Sequence, residues 1–458
     1  MISPQTLSQI EAIVGSQFLK VKEAEIDEYG SDGTRLHAMP EAVALPGSAE
    51  EVSAILVLAT TKRFPVVVRG AGSGMSGGAV PVCGGLVLAM NRFNHILSID
   101  KENMTANVEA GVITADLKEA AARLGLLYPP DPASIKISTV GGNLAECAGG
   151  LRAVKYGVTR DYVLGLKVVL PTGEIINTGV QTMKGVAGYD LTRLIVGSEG
   201  TLAVIVSATV RLLPLPEATQ TMIAFFSDVA TATAAVSKIL SAGVAPAVME
   251  LVDGLCLSLI RGQIQLRIPD GSGAMLLIEL DGERKVLTDA VRTVEAKCRE
   301  TRCIDFVCAS SESEANMLWE ARRNISPSLY KLRPHKVSED VVVPRNKMPE
   351  IAHYLAHLSK AYNLPIPVFG HAGDGNLHVN IMLDKDDPQE ASTAHEIVTR
   401  VFQKVLALGG TITGEHGVGI TKKQYLPMEI PPAGLSLMRR IKMAFDPAGI
   451  LNPQKIFS

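Results

Sequence analysis

Val66–Val67–Val68 runs directly into Arg69–Gly70–Ala71–Gly72–Ser73–Gly74–Met75–Ser76–Gly77–Gly78–Ala79. Three β-branched residues predict a short strand, and few side chains obstruct the loop that follows. Its backbone N–H groups can converge on an anion, and glycine permits the positive φ that such a nest requires. Ser73 and Ser76 add hydroxyl donors for phosphate. No Lys–Ser or Lys–Thr follows the last glycine, so this is not a Walker loop. Taken alone, the segment also reads as a tight, flexible turn.

Two more loops of the same character lie downstream. One is Ser138–Thr139–Val140–Gly141–Gly142–Asn143, continuing to Gly149–Gly150 and preceded by Pro129–Pro130–Asp131–Pro132. The other runs from Gly188 through Gly197–Ser198–Glu199–Gly200–Thr201. Three such loops suggest one long ligand lying against several backbone segments. A mononucleotide would need only one.

Between the loops, short apolar runs such as Gly85–Met90, Leu166–Leu170 and Leu202–Val210 alternate with helical stretches at Ala49–Thr61 and Thr114–Leu124. That alternation predicts a mixed α and β domain over residues 41–216, after a helical arm at 1–40. Two prolines in Leu213–Pro214–Leu215–Pro216 mark its end. Strand-like Thr221–Phe226, Val248–Leu251 and Ala274–Leu280, with helices at Val229–Ala242 and Glu283–Thr301, predict an antiparallel sheet with covering helices over 217–408. Residues 409–458 form a loop-rich segment that ends in a helix at Gly434–Phe445. The fold class is α+β.

The chain has 458 residues, 47% of them hydrophobic and 20% charged, with a net charge of -3. Such a balance suits a packed, multidomain enzyme and offers no field for nucleic acid or an anionic membrane. No apolar run approaches the ~20 residues of a bilayer span, and Met1–Lys20 lacks the pattern of a targeting signal. The expected location is the cytoplasm, with membrane attachment only through a partner. The six cysteines include no C-x-x-C pair, so any iron–sulfur centre would lie on another protein.

The second chemical centre is late. Pro367–Val368–Phe369–Gly370–His371 reads as a strand end, Ala372–Gly373–Asp374–Gly375–Asn376 as a turn, and Leu377–His378–Val379–Asn380–Ile381 as the return strand. Period-2 alternation puts His378 and Asn380 on one face, and the turn brings His371 toward His378. Further on, Thr413–Gly414–Glu415–His416–Gly417 sets a carboxylate beside a histidine in a glycine-framed loop. Two His and one Glu make a metal set with open positions, and the remaining His can act as a general base near neutral pH. The competing reading is hydrogen-bonded turn histidines and a loop salt bridge. Trp319, Arg322 and Ser326 share a helical face by spacing, and Arg322 can grip a carboxylate.

In their order, these motifs resemble the FAD-linked D-lactate dehydrogenase, D-2-hydroxyglutarate dehydrogenase and glycolate oxidase catalytic-subunit group of the vanillyl-alcohol oxidase / p-cresol methylhydroxylase superfamily. The resemblance runs from about Glu41 to Phe457. It implies a two-subdomain FAD-binding domain, a ferredoxin-like antiparallel cap and a short helical C-terminal segment. It implies that Arg69, Gly70, Ala71, Gly72, Ser73, Gly74, Ser76, Gly77 and Gly78 cradle the FAD pyrophosphate. Pro130, Asp131, Thr139, Gly142, Asn143, Gly149, Glu199, Gly200 and Thr201 would line the cofactor. No His lies between His95 and His335, so the FAD is expected to be non-covalent.

By the same resemblance His371, His378 and Glu415 ligate zinc or manganese, and His416 is the base. Arg322 holds the substrate carboxylate, with Asn380 and Lys336 as further substrate-site residues, and Ser326 joins them by its helical spacing from Arg322. The expected substrate is a D-2-hydroxy acid, D-lactate first, with glycolate and D-2-hydroxyglutarate as alternatives. The acceptor would be a quinone, electron-transfer flavoprotein, cytochrome or iron–sulfur subunit, not NAD, and a homodimer stays open. A metal-dependent hydrolase leaves the glycine loops unexplained, and a nucleotide-binding regulatory module leaves the Glu415–His416 loop unexplained. An ether-lipid synthase relative fits the metal set less well.

Overall fold

A computed structural model describes residues 2–457. The chain divides into two compact units. The first comprises Met1–Gly149, Val158–Leu215 and Glu415–Ser458, and the second Gly150–Gly157 and Pro216–Gly414.

In the first unit, β1 (Leu19–Lys20), β2 (Ala42–Ala44), β3 (Val66–Arg69) and β4 (Leu86–Ala89) form a sheet in the order β1-β2-β4-β3. Both neighbours of β4 run parallel to it. Apolar β-branched and leucine side chains on these strands pack with Ile55 and Leu56 of the helix Ala49–Lys62 and with Ile10 and Val14 of the helix Pro4–Val14. The N-terminal helix is therefore core material of this unit. Ser48 caps the helix Ala49–Lys62 by accepting the Glu51 N–H, and Arg63 ends it in the left-handed conformation.

A second, wholly antiparallel sheet joins β5 (Ile96–Asp100), β6 (Thr105–Glu109), β8 (Val163–Val169), β9 (Ile175–Gly179) and β10 (Val204–Arg211) in the order β5-β6-β10-β8-β9. A short ladder pairs β7 (Leu126–Leu127) with β11 (Leu213–Pro214). The C-terminal segment closes the unit. Leu451 bridges Val66 in parallel, the Asn452 N–H donates to the Val66 carbonyl at 2.8 Å, and Lys455 Nζ donates to the carbonyls of Gly77, Gly78 and Val80.

The second unit is built on one seven-stranded sheet. Its strands are β12 (Ala218–Phe226), β13 (Val248–Asp253), β14 (Ala274–Gly282), β15 (Asp305–Cys308), β16 (His335–Val342), β17 (Val368–His371) and β18 (Asn376–Leu383). The order is β15-β12-β14-β13-β17-β18-β16, with every pairing antiparallel. The helices Gly254–Ile260 and Glu312–Arg323 cover the face that carries Phe225, Val252 and Met275.

Gly150–Gly157 clusters here, although its sequence position lies inside the glycine-loop region. Buried charge explains this. Arg152 bonds Glu279 at 2.7 Å and Asp281 at 3.0 Å, while Lys155 and the Tyr156 hydroxyl also reach the Asp281 carboxylate. Two inward-facing carboxylates on one strand need such partners to be stable out of water.

Candidate functional site

The first unit contains a cavity of about 440 Å³. Gly70–Gly74 and Gly78 form one wall, Thr139, Gly142, Asn143 and Gly149 another, and Glu199 with Gly200 a third. Glu415 and His416 line the same cavity. Gly72 sits at φ +68, a left-handed position that suits glycine. Thr139 Oγ accepts the Gly142 N–H at 3.2 Å, and Asn143 Nδ2 donates to Thr114 Oγ1 at 2.7 Å, so the second loop is held by its own side chains. No Lys or Arg is among the lining residues. An anion here would be met by backbone N–H groups and hydroxyls.

Several predicted cofactor residues stand outside the cavity wall. Arg69 is buried and donates to the carbonyls of Ser31 and Glu28. Ser76 and Gly77 lie behind the loop, where the Ser76 carbonyl accepts the Ile420 N–H. Asp131 pairs with Lys118 at 2.5 Å, and Pro132, Ala133 and Ser134 reach the cavity where Pro130 and Asp131 were expected. Thr201 Oγ1 donates to the Ser198 carbonyl. Cys147 is also outside the wall, its sulfur accepting from Arg160 Nε at 3.0 Å.

The cavity also exposes a carboxyl that the sequence reading passed over. Glu146 ends a short helix, its Oε2 enclosed and without a hydrogen-bond partner. Burial first, then the neighbouring Glu199, raises its pKa well above the ordinary glutamate value, with Asp32 adding and Lys455 opposing. Burial also raises that of Glu199, although its carboxylate accepts the N–H groups of Val418 and Gly419 at 2.7 and 2.6 Å.

In the second unit the hairpin forms as the alternation predicts, with Phe369 opposite His378. The rings of His371 and His378 meet edge to face, centroids 5.1 Å apart. Asp340 lies opposite His378, Ser338 opposite Asn380 and Lys336 opposite Met382, so one face collects most of the polar side chains. Asn380 is fully buried. Its Oδ1 accepts from Ser338 at 3.0 Å and its Nδ2 donates to the His378 carbonyl. Lys336 Nζ reaches Ser326 Oγ at 3.4 Å. The helix carrying Arg322 stops at Arg323, and Ser326 belongs to a separate turn, Ile325–Ser328. Asp340 accepts the Gly414 N–H at 2.7 Å and the Thr413 hydroxyl at 3.2 Å, which fixes the chain just before Glu415.

Glu250 is the other residue missed. It is fully buried on β13, directly opposite His371. Arg322 Nε donates to one of its oxygens at 2.7 Å, and His371 Nδ1 meets the other at 2.5 Å. Burial opposes its ionisation, but His371 and Arg322 together pull the pKa down to about 2. A single acid inside Val248–Met249–Glu250–Leu251–Val252 is the signal that could have found it.

Two domain families match the sequence: "FAD binding domain" over residues 40–179 and "FAD linked oxidases, C-terminal domain" over 215–456. The glycolate oxidase subunit GlcD of Bacillus subtilis (strain 168) is 42% identical, covering 100% of this chain and 98% of its own length. A D-lactate dehydrogenase of Anaerostipes hadrus is 34% identical over 99% of this chain and 98% of its own. Among solved structures, p-cresol methylhydroxylase with substrate bound superimposes with a TM-score of 0.82 at 18% identity, over 99% of this chain and 96% of that one. That likeness establishes the fold.

Proposed function

The chain belongs to the FAD-linked oxidases, and from that premise we propose that it oxidises a D-2-hydroxy acid, D-lactate first, to the 2-keto acid. The observation that carries this reading is that Glu415 and His416 line the same cavity as the glycine loop Gly70–Gly74. An imidazole thus shares a chamber with the backbone expected to hold the cofactor. The chamber fits a dinucleotide: its walls are glycine-rich, and its anion donors are backbone amides. The position of Cys147 supports non-covalent binding.

When bound, FAD supplies a two-electron acceptor for the Cα hydride. His416 takes the α-hydroxyl proton, which leaves the carbonyl of the keto acid. Arg322 orients the substrate carboxylate, with Lys336 and Ser326, bonded to each other, and Asn380, which bonds Ser338 on the strand that carries Lys336, as further substrate-site residues. His371, His378 and Glu415 would hold a zinc or manganese ion, which supplies Lewis acidity at the hydroxyl. The donor set, two imidazoles and a carboxylate, fits such an ion, and with Glu250 meeting His371 at Nδ1 ligation would be through Nε2. Electrons then leave to a non-NAD acceptor: a quinone, cytochrome, electron-transfer flavoprotein or iron–sulfur subunit. Glycolate is the second substrate to test, given the GlcD relative.

The purified protein should be yellow, absorbing near about 450 nm as oxidised flavin does. Anaerobic D-lactate should bleach it and L-lactate should not. H416A should keep the colour and lose at least about 10²-fold in bleaching rate. Bleaching of H416A at the wild-type rate would overturn the base assignment, and a colourless protein that cannot be reconstituted would overturn the whole reading.

A further inference from the structure

Carboxylates are rarely left fully inside a sheet, because removing one from water costs several kcal/mol unless donors meet both oxygens. Glu250 satisfies that condition with two side chains already singled out for function. The β13/β17 register sets it opposite His371, and the helix Glu312–Arg323 brings Arg322 to its other oxygen. Phe369, two residues before His371 on the same face, carries the Arg322 guanidinium at 4.5 Å from its ring centroid. The arrangement is a short, dry chain of contacts: Arg322, Glu250, His371.

Each contact constrains its partner chemically. A carboxylate only accepts, so the proton of neutral His371 is on Nδ1 and its lone pair on Nε2. Arg322 spends Nε on Glu250, so a carboxylate ligand would be met by its two Nη groups. We propose that Glu250 is a positioning residue that sets metal ligation at His371 and carboxylate recognition at Arg322 together. This rests on the function proposed above.

The test uses the flavin-loaded protein with E250Q and E250D. Glutamine keeps the size but accepts through one oxygen only, and presents an N–H to the second donor. E250Q should lower affinity for added Zn²⁺ or Mn²⁺, read by metal retained against a chelator series, by about 10- to 100-fold. It should also raise KM for D-lactate by about tenfold or more. E250D keeps both oxygens on a shorter stem and should shift both quantities in the same direction by less. R322Q should raise KM and leave metal retention unchanged, whereas H371Q should release metal.

A folded, yellow E250Q or E250D with wild-type metal retention and KM overturns the inference, as does a change in only one of the two. If E250Q fails to fold, E250D decides. A wild-type protein that retains no metal overturns the underlying reading; a metal-bearing wild type beside indifferent Glu250 variants overturns this inference alone.

Discussion

Two glutamates of this protein, one fully buried and one half-buried, have opposite fates. Glu250 lies in a sheet between two nitrogen donors, and its pKa falls to about 2. Glu146 lies at a cavity wall beside a second carboxylate, and its pKa rises well above the ordinary value. Burial opposes ionisation of both. The difference comes from what the fold places within hydrogen-bond reach. A fixed charge is built where partners are supplied, and a proton is kept where they are not.

Removing Glu250 should give the largest effect. E250L leaves Arg322 and His371 without their shared acceptor and should cost about 3–5 kcal/mol, measured as a fall in the unfolding midpoint in denaturant. E146L should cost far less, because no donor depends on Glu146; equal losses would break the comparison. Acid should distinguish the two next. The folded pKa of Glu250 is below its unfolded value near 4.5, so its stabilisation is complete above pH 4.5 and is lost as pH falls toward about 2. The loss between pH 6 and pH 3 should be roughly 2 kcal/mol, and absent from E250L when melts at the two pH values are compared.

Glu146 should give the smallest effect, with the opposite sign. Its folded pKa is above the unfolded one, so its contribution is present at low pH and is lost as pH rises through the folded value. E146Q should therefore stabilise the protein by on the order of 1 kcal/mol at pH 8 and by nothing below pH 4.5. Equal stabilisation of E146Q at pH 4 and pH 8 would show that Glu146 is not the group that titrates.

The same contrast separates what the sequence made legible from what it hid. Glycine loops, the Asp374–Gly375 turn and the apolar strands follow local rules, and the structure forms the strands and the hairpin near the expected residues. Polar or short strands escaped notice. Ile96–Asp100 is largely exposed and carries little apolar alternation, and His335–Val342 shows its polar face to the hairpin. The sequence marked Arg322 as a cation able to grip a carboxylate, but its bond to Glu250 spans 72 positions and depends on strand register. The roles expected of Arg69 and Asp131 came from the resemblance alone. Local geometry turns Arg69 to the Ser31 carbonyl and Asp131 to Lys118.

The closing role of residues 451–455 has a consequence for synthesis. Lys455 ties down the Gly77 and Gly78 carbonyls of the glycine loop and that of Val80 just beyond it, Asn452 Nδ2 holds the Glu199 carbonyl, and Leu451 borders β3. A nascent chain halted anywhere before them would carry every glycine of the cradle and still lack its buckle. Ribosome-stalled intermediates should then capture flavin only after that stretch has emerged.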